Sequence, residues 1–195
     1  MSRKSWIGGL LGGLVVFIWG NLSWTVIPIH EFHMKDVPEA AINEEVIRTD
    51  MLATGVYHFP GFPSEEEMQA DPKAAMAGMM EEYMEGPIIH FMVVDADGGP
   101  WMNPISFLWY FLINVGSALL IAWMLSKAVG GLPKYTGRFV FVLVAGLFAF
   151  LFGPLTMWNW WHFPANFTFA TLIDYVISWG GAGLVMAHFI RPDIV

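Results

Sequence analysis

Four apolar stretches, at residues 6–29, 105–125, 139–157 and 167–190, leave this chain few structures to adopt. Each is about 20 residues long, which at ~1.5 Å rise per residue matches a hydrocarbon core ~30 Å thick. Inside lipid every backbone N–H and C=O needs a partner within the protein, so such segments must be helices. The expected fold is an all-α membrane protein. It is a four-transmembrane-helix bundle with a small α/β extracytoplasmic insertion between spans 1 and 2. The parts are a first span at 1–29, an acidic cap at 30–104, and spans 2 to 4 at 105–195. Hydrophobic residues make up 56% of the 195 and charged residues 13%, which is far from the balance of a soluble domain. The first stretch is longer than the apolar region of a secretory signal and lacks a small-residue cleavage site, so it reads as a retained helix. With no cysteine in the chain, disulfides, thiolate metal sites and iron–sulfur clusters are excluded.

Charge sets the expected orientation. Arg3, Lys4, Lys127, Lys134, Arg138 and Arg191 lie at the amino terminus, between spans 2 and 3, and after span 4. In a four-span chain those places share one side, which the positive-inside rule makes the cytoplasm. Both termini are then cytoplasmic and residues 30–104 periplasmic. That outer segment holds fifteen acidic residues against Lys35, Arg48 and Lys73, a net of about −12. Such a region repels phosphates, so nucleic acid is not an expected partner.

The cap has signals of its own. Asp36 before Val37-Pro38-Glu39 reads as a helix start, with Gly55 closing the pattern after Leu52. Gly55 to Pro63 suggests a short strand and turn. Ser64 with Glu67 fits a capping box, and Asp71-Pro72 fits an N-cap followed by proline at the first helical position. Met76, Met79, Met80, Tyr83 and Met84 then recur at helical spacing, with Gly86 as the expected C-cap. Ile88 to Val94 reads as a strand ended by Asp95-Ala96-Asp97-Gly98-Gly99-Pro100.

Several groups of residues together carry a resemblance. They are Gly8-Gly9-Leu10-Leu11-Gly12-Gly13, Trp19-Gly20, Ser23-Trp24, Gly55-Val56-Tyr57 with Phe59-Pro60-Gly61, Trp158-Asn159-Trp160-Trp161-His162-Phe163-Pro164, Asn166-Phe167-Thr168, and Leu172-Ile173-Asp174. The chain resembles, over nearly its whole length, a family of small bacterial inner-membrane proteins with four spans and an outer loop, widely left uncharacterised. The resemblance implies the same topology and a bacterial origin, and it brings no activity or cofactor with it.

Gly8 with Gly12, and Gly9 with Gly13, form overlapping small-xxx-small pairs that let another helix approach closely. Packing against this chain's own second or fourth span is favoured over self-association, with Gly180-Gly181-Ala182-Gly183 as the matching surface. Asp174 lies about seven residues inside span 4 from its outer end, hence ~10 Å deep. Asn21 and Asn114 fall in the same layer. A lipid-facing charge there costs at least ~2.5–3.5 kcal/mol, so Asp174 is expected to face the interior. Two readings follow: a polar clasp of a neutral Asp174 with Asn21, Asn114 or Ser117, or a proton- or ligand-binding site. The clasp is preferred, because no basic residue lies at that depth.

Histidine offers the other chemistry. His30 and His33 stand three apart just after span 1, which on a helix puts both imidazoles on one face, as half of a transition-metal site. Met76, Met79 and Met80 would add thioethers suited to Cu(I). Copper or haem is the alternative on this basis, and no cofactor is the main expectation. Trp101, Trp109, Trp158, Trp160, Trp161 and Phe163 read as an outer interfacial belt. Asn166-Phe167-Thr168 formally matches a glycosylation acceptor, but capping of the fourth helix is the better reading. No nucleophile elbow, P-loop or zinc-protease helix is present, and spans read as unbroken give little room for alternating access. What remains is a non-catalytic accessory or assembly subunit of a larger membrane complex, with lipid and partner subunits, or a second copy of itself, as its contacts.

Overall fold

The computed structural model describes residues 1–27, 29–30, 34–35, 53–100 and 103–192. The helix expected from Asp36 to Leu52 lies outside them, as do His33 and Trp101. In chain order the elements are α1 (Arg3–Thr25), β1 (Gly55–Phe59), α2 (Glu65–Ala70), α3 (Pro72–Glu85), β2 (Ile89–Val94), α4 (Pro104–Ala128), a 3-10 turn (Val129–Gly131), α5 (Tyr135–Phe152), α6 (Pro154–Trp161) and α7 (Ala165–Phe189). Four helical stretches are long and apolar enough to cross a membrane: Arg3–Thr25, Pro104–Gly131, Tyr135–Trp161 and Ala165–Phe189. The chain divides into two compact units, one of residues 1–36 and 100–195 and one of residues 37–99.

Side chains start two of the spanning helices. The Ser2 hydroxyl accepts from the Ser5 N–H at 3.1 Å to cap α1, and Asn103 accepts from the Ile105 N–H at 2.9 Å ahead of Pro104 in α4. Each satisfies an N–H that the helix itself cannot. Glycine then sets the packing. Gly9 and Gly13 meet α4: a Cβ on Gly13 would stand 2.7 Å from Val115 Cα, and one on Gly9 2.8 Å from Leu119 Cδ2. Gly8 and Gly12 meet α7, where a Cβ on Gly12 would stand 2.6 Å from Met186 Cε. The two pairs therefore serve two neighbours, one on each side of α1.

Packing continues from α7 to α5, where Gly146 lies under the Trp179 ring and Gly183 lies against Phe139 and Val142. The run from Gly180 to Gly183 is thus not one surface for span 1, as the sequence suggested. Gly181 faces Val15 of α1, Gly183 faces α5, and Gly180 faces open space. Helix rotation of about 100° per residue sends neighbouring glycines to different sides. The spatial order is α4–α1–α7–α5, and α4 and α5 barely touch although only residues 129–134 join them. Ala118, Ala122, Leu125, Val142, Ala182 and Met186 form the fully buried core of this row.

Two features depart from the sequence reading of this unit. The third span is broken: α5 ends at Phe152, Gly153 has φ −94° and ψ −89°, and α6 starts at Pro154. Proline has no N–H for the carbonyl four residues back and its ring crowds that turn. Arg138, expected in the polar connection between spans 2 and 3, is instead a buried residue of α5. Its Nε donates to the Ala187 carbonyl at 3.1 Å, and Nη1 donates to Leu132 and Pro133 carbonyls at 3.0 and 2.7 Å. It thereby satisfies two carbonyls of the loop before α5 and one at the end of α7, where a cation also suits the helix dipole.

In the unit of residues 37–99, β1 and β2 pair antiparallel with Gly55 opposite Val94 and Tyr57 opposite Met92, and the register shifts before Phe59 opposite Ile89. Ser64 and Glu67 form the expected capping box, and the Asp71 carboxylate accepts from the N–H groups of Lys73 and Ala74 at 3.0 Å. Gly86 closes α3 at φ 60°, a left-handed conformation that glycine adopts readily. Met76, Met80 and Met84 are exposed, and Met79 is half-buried.

Candidate intramembrane polar site

Asp174 of α7 gathers three polar side chains, all from α1 or the residues just after it. Trp19 Nε1 lies 3.0 Å from Oδ1, Ser23 Oγ 3.1 Å from Oδ2, and His30 Nε2 2.6 Å from Oδ2. Trp19 and Ser23 stand four apart, so one face of α1 presents both. The indole nitrogen only donates, so Asp174 Oδ1 serves as an acceptor. Ser23 is fully buried, and Gly20 beside it leaves room for the Tyr110 hydroxyl to come against α1.

Aromatic rings hold His30. Its ring stacks on Trp24 with centroids 4.0 Å apart and planes 9° from parallel, and the Phe167 ring meets it edge-on at 5.6 Å. His30 is 2% exposed. Among the described residues its Nδ1 is the one buried side-chain polar atom without a hydrogen-bond partner. Orienting an imidazole through one nitrogen leaves the other for a second partner, as carboxylate–histidine pairs do in metal and acid–base sites.

The pair borders a cavity of about 490 Å³ between α1, α4, α5 and α7. Asn114, Ser117, Thr171 and Ser178 contribute its other short polar side chains, and Ile113 and Leu120 reach its exposed edge. This chamber exists because α4 and α5 diverge.

The sequence located the acid and misjudged its partners. Asn114 shares the cavity with Asp174, but its Nδ2 donates to the Tyr110 carbonyl at 2.8 Å. Asn21 Nδ2 donates to the Phe17 carbonyl at 2.7 Å and lines a separate groove of about 380 Å³ with Asn103 and Ser106. Each amide is satisfied by the carbonyl four residues back in its own helix, so neither binds Asp174. Trp19 and Ser23 were legible only as the aromatic and small residues of the family resemblance. Their spacing of four, in the same outer layer as Asp174, was the available signal.

The metal candidates divide between the two units. His30 Nε2 is engaged by Asp174, His33 lies outside the described residues, and Met76, Met79 and Met80 belong to the unit of residues 37–99. Among the described residues no three His, Cys, Asp or Glu side chains group as a metal site would require. Trp109, Trp158, Trp160 and Trp161 are exposed, as a belt requires. Thr168 Oγ1 donates to the Pro164 carbonyl at 3.1 Å, and Asn166 Oδ1 accepts from the Phe167 N–H at 3.0 Å, so both polar side chains serve the start of α7. Comparison with protein-family models, curated proteins and solved structures found no match.

Proposed function

We propose that this protein is a non-catalytic accessory or assembly subunit of a larger membrane complex, resident in a bacterial inner membrane with both termini cytoplasmic and residues 30–104 periplasmic. One observation supports the reading above others: the row α4–α1–α7–α5 is open, and the gap between its ends presents Asn114, Ser117 and Ser178. Polar side chains are costly against lipid tails, and hydrogen bonds between such groups are a common means of joining transmembrane helices. A partner helix seated between α4 and α5 would cover them. Photo-crosslinkers at Ile113 and Leu120, on the exposed edge of the gap, test this in native membranes. A discrete protein adduct is expected at both positions; lipid adducts alone, with a monomer in mild detergent, would overturn the reading.

A second reading has its own support. His30 Nδ1 is buried, lacks a partner among the described residues and belongs to a ring that borders the cavity, which suits a handler of copper or a cofactor such as haem. Stoichiometric copper or a haem spectrum in purified protein, abolished by His30→Phe, is its required result. Clean elemental and optical analyses of protein from its native membrane would eliminate it.

A further inference from the structure

The end of the bundle where α1 starts and α7 finishes holds a second pocket, of about 480 Å³, remote from Asp174. Three segments meet there. The start of α1 contributes Arg3 and Lys4, the end of α4 contributes Lys127, and the residue two beyond α7 is Arg191. Among the described residues none of these four cations has an acidic partner within ion-pair distance. They differ from Arg138, which spends its donors on the carbonyls of Ala187, Leu132 and Pro133. The pocket also has an apolar wall of Val129, Phe189 and Ile190. The first N–H groups of α1 point their partial positive charge to the same end.

We propose that this pocket binds the phosphate head group of an anionic phospholipid. Four cations with no counter-charge among the described residues call for an anion carrying several acceptor oxygens, and phosphate offers them. The choice of lipid over a dissolved phosphate rests on place and on the wall. Lys127 and Phe189 stand at the ends of helices that cross the bilayer, where head groups lie. The apolar side chains beside the cations suit the glycerol and the first carbons of acyl chains. Basic pockets between spanning helices at this depth are a known way of holding acidic lipids. The site is independent of the gap between α4 and α5, and of any partner seated in it.

Native mass spectrometry of the full-length protein in mild detergent tests the proposal, with phosphatidylglycerol and phosphatidylcholine offered in competition. The wild-type chain is expected to keep one phosphatidylglycerol with a preference of about tenfold or more, since each interfacial cation contributes about fivefold. The variant R3Q/K4Q/K127Q/R191Q is expected to show a preference below about twofold, and Lys134→Gln, at the same level but outside the pocket, should change nothing. If the fourfold variant does not insert, R3Q/K4Q and K127Q/R191Q separately should each lose most of the preference. No preference in the wild type, or an equal fall in Lys134→Gln, would show diffuse surface charge and overturn the proposal. Inorganic phosphate distinguishes the two sources: displacement of the lipid by phosphate at matched concentration would mark a site for a soluble anion and overturn it too.

Discussion

His30 Nε2 and Asp174 Oδ2 stand 2.6 Å apart although 144 residues separate them in the chain. The contact ties the residues leaving the first span to the middle of the last. His30 is 2% exposed and the Asp174 side chain 14%, so solvent does little to screen either. Removing one partner from such a pair costs about 3–5 kcal/mol, mostly because the other stays buried and uncompensated. Asp174→Leu and His30→Phe are therefore each expected to lower the thermal stability of the detergent-solubilised protein by that order. The double variant should lose clearly less than the sum, with a coupling of about 0.5–3 kcal/mol. Asp174→Asn, which keeps one acceptor for Trp19 or Ser23, should fall between wild type and Asp174→Leu. Strict additivity in the double variant would mean that the contact carries no energy.

Glycines on the same helices divide sharply by what lies next to them. A Cβ on Gly13 would stand 2.7 Å from the backbone of Val115, and neither helix can yield without separating. Gly13→Ala is expected to cost about 1–3 kcal/mol by overpacking. Gly116 of α4 has nothing within 4 Å of such a Cβ, so Gly116→Ala should be neutral or stabilising by up to about 1 kcal/mol. Thermal melts of the two variants in one detergent decide the matter, and equal losses would contradict the α1–α4 interface described here.

Outside the membrane-spanning segments, the start of α2 has a defined acid response. Hydrogen bonds from the Ser64 hydroxyl and backbone N–H hold the Glu67 carboxyl below its ordinary value. A carboxylate whose folded value is depressed adds stability that is fully present above its unfolded value and is lost as pH falls through the folded one. The start of α2 should therefore loosen only on the acid side of the usual carboxylate range. Carbon NMR titration of Glu67 should show a midpoint below the ordinary glutamate value, moving part of the way back up in Ser64→Ala, which keeps the backbone N–H. An unmoved midpoint would show that the capping box does not form.

Orientation is open to direct labelling because the chain has no cysteine of its own. Cysteines placed at Glu66 and Lys134 should react differently with a membrane-impermeant maleimide on intact cells. Position 66 is expected to label and position 134 to label only after lysis. The opposite pattern would invert the topology.

The spans were legible because lipid permits so little: length, apolarity and backbone satisfaction converge on helices at 6–29, 105–125 and 167–190, close to α1, α4 and α7. The third was read through its break. Hydropathy is blind to the N–H that Pro154 lacks, and Gly153-Pro154 was the signal overlooked. Local hydrogen-bond chemistry made the caps at Ser64, Asp71 and Gly86 legible to the residue. Long-range pairing was not. The depth of Asp174 could be counted along a helix, but depth alone favoured the two asparagines, which their own helices already satisfy. Trp19 was visible only as an aromatic near an interface. Its role depends on the rotation of α1, which the glycines fix against two neighbours at once.

Spans 2 and 3 are consecutive in the chain yet stand at opposite ends of the row, each resting on a different inner helix. Residues 129–134 tie them at one surface, and toward the other Gly153 interrupts the third span. The separation of α4 and α5 at that far surface is consequently a degree of freedom of its own. Little contact between α4 and α5 sets its width, whereas glycines hold α1 close against α7. The same scaffold could thus accommodate occupants of different girth, with the His30–Asp174 contact as a fixed reference point beside them.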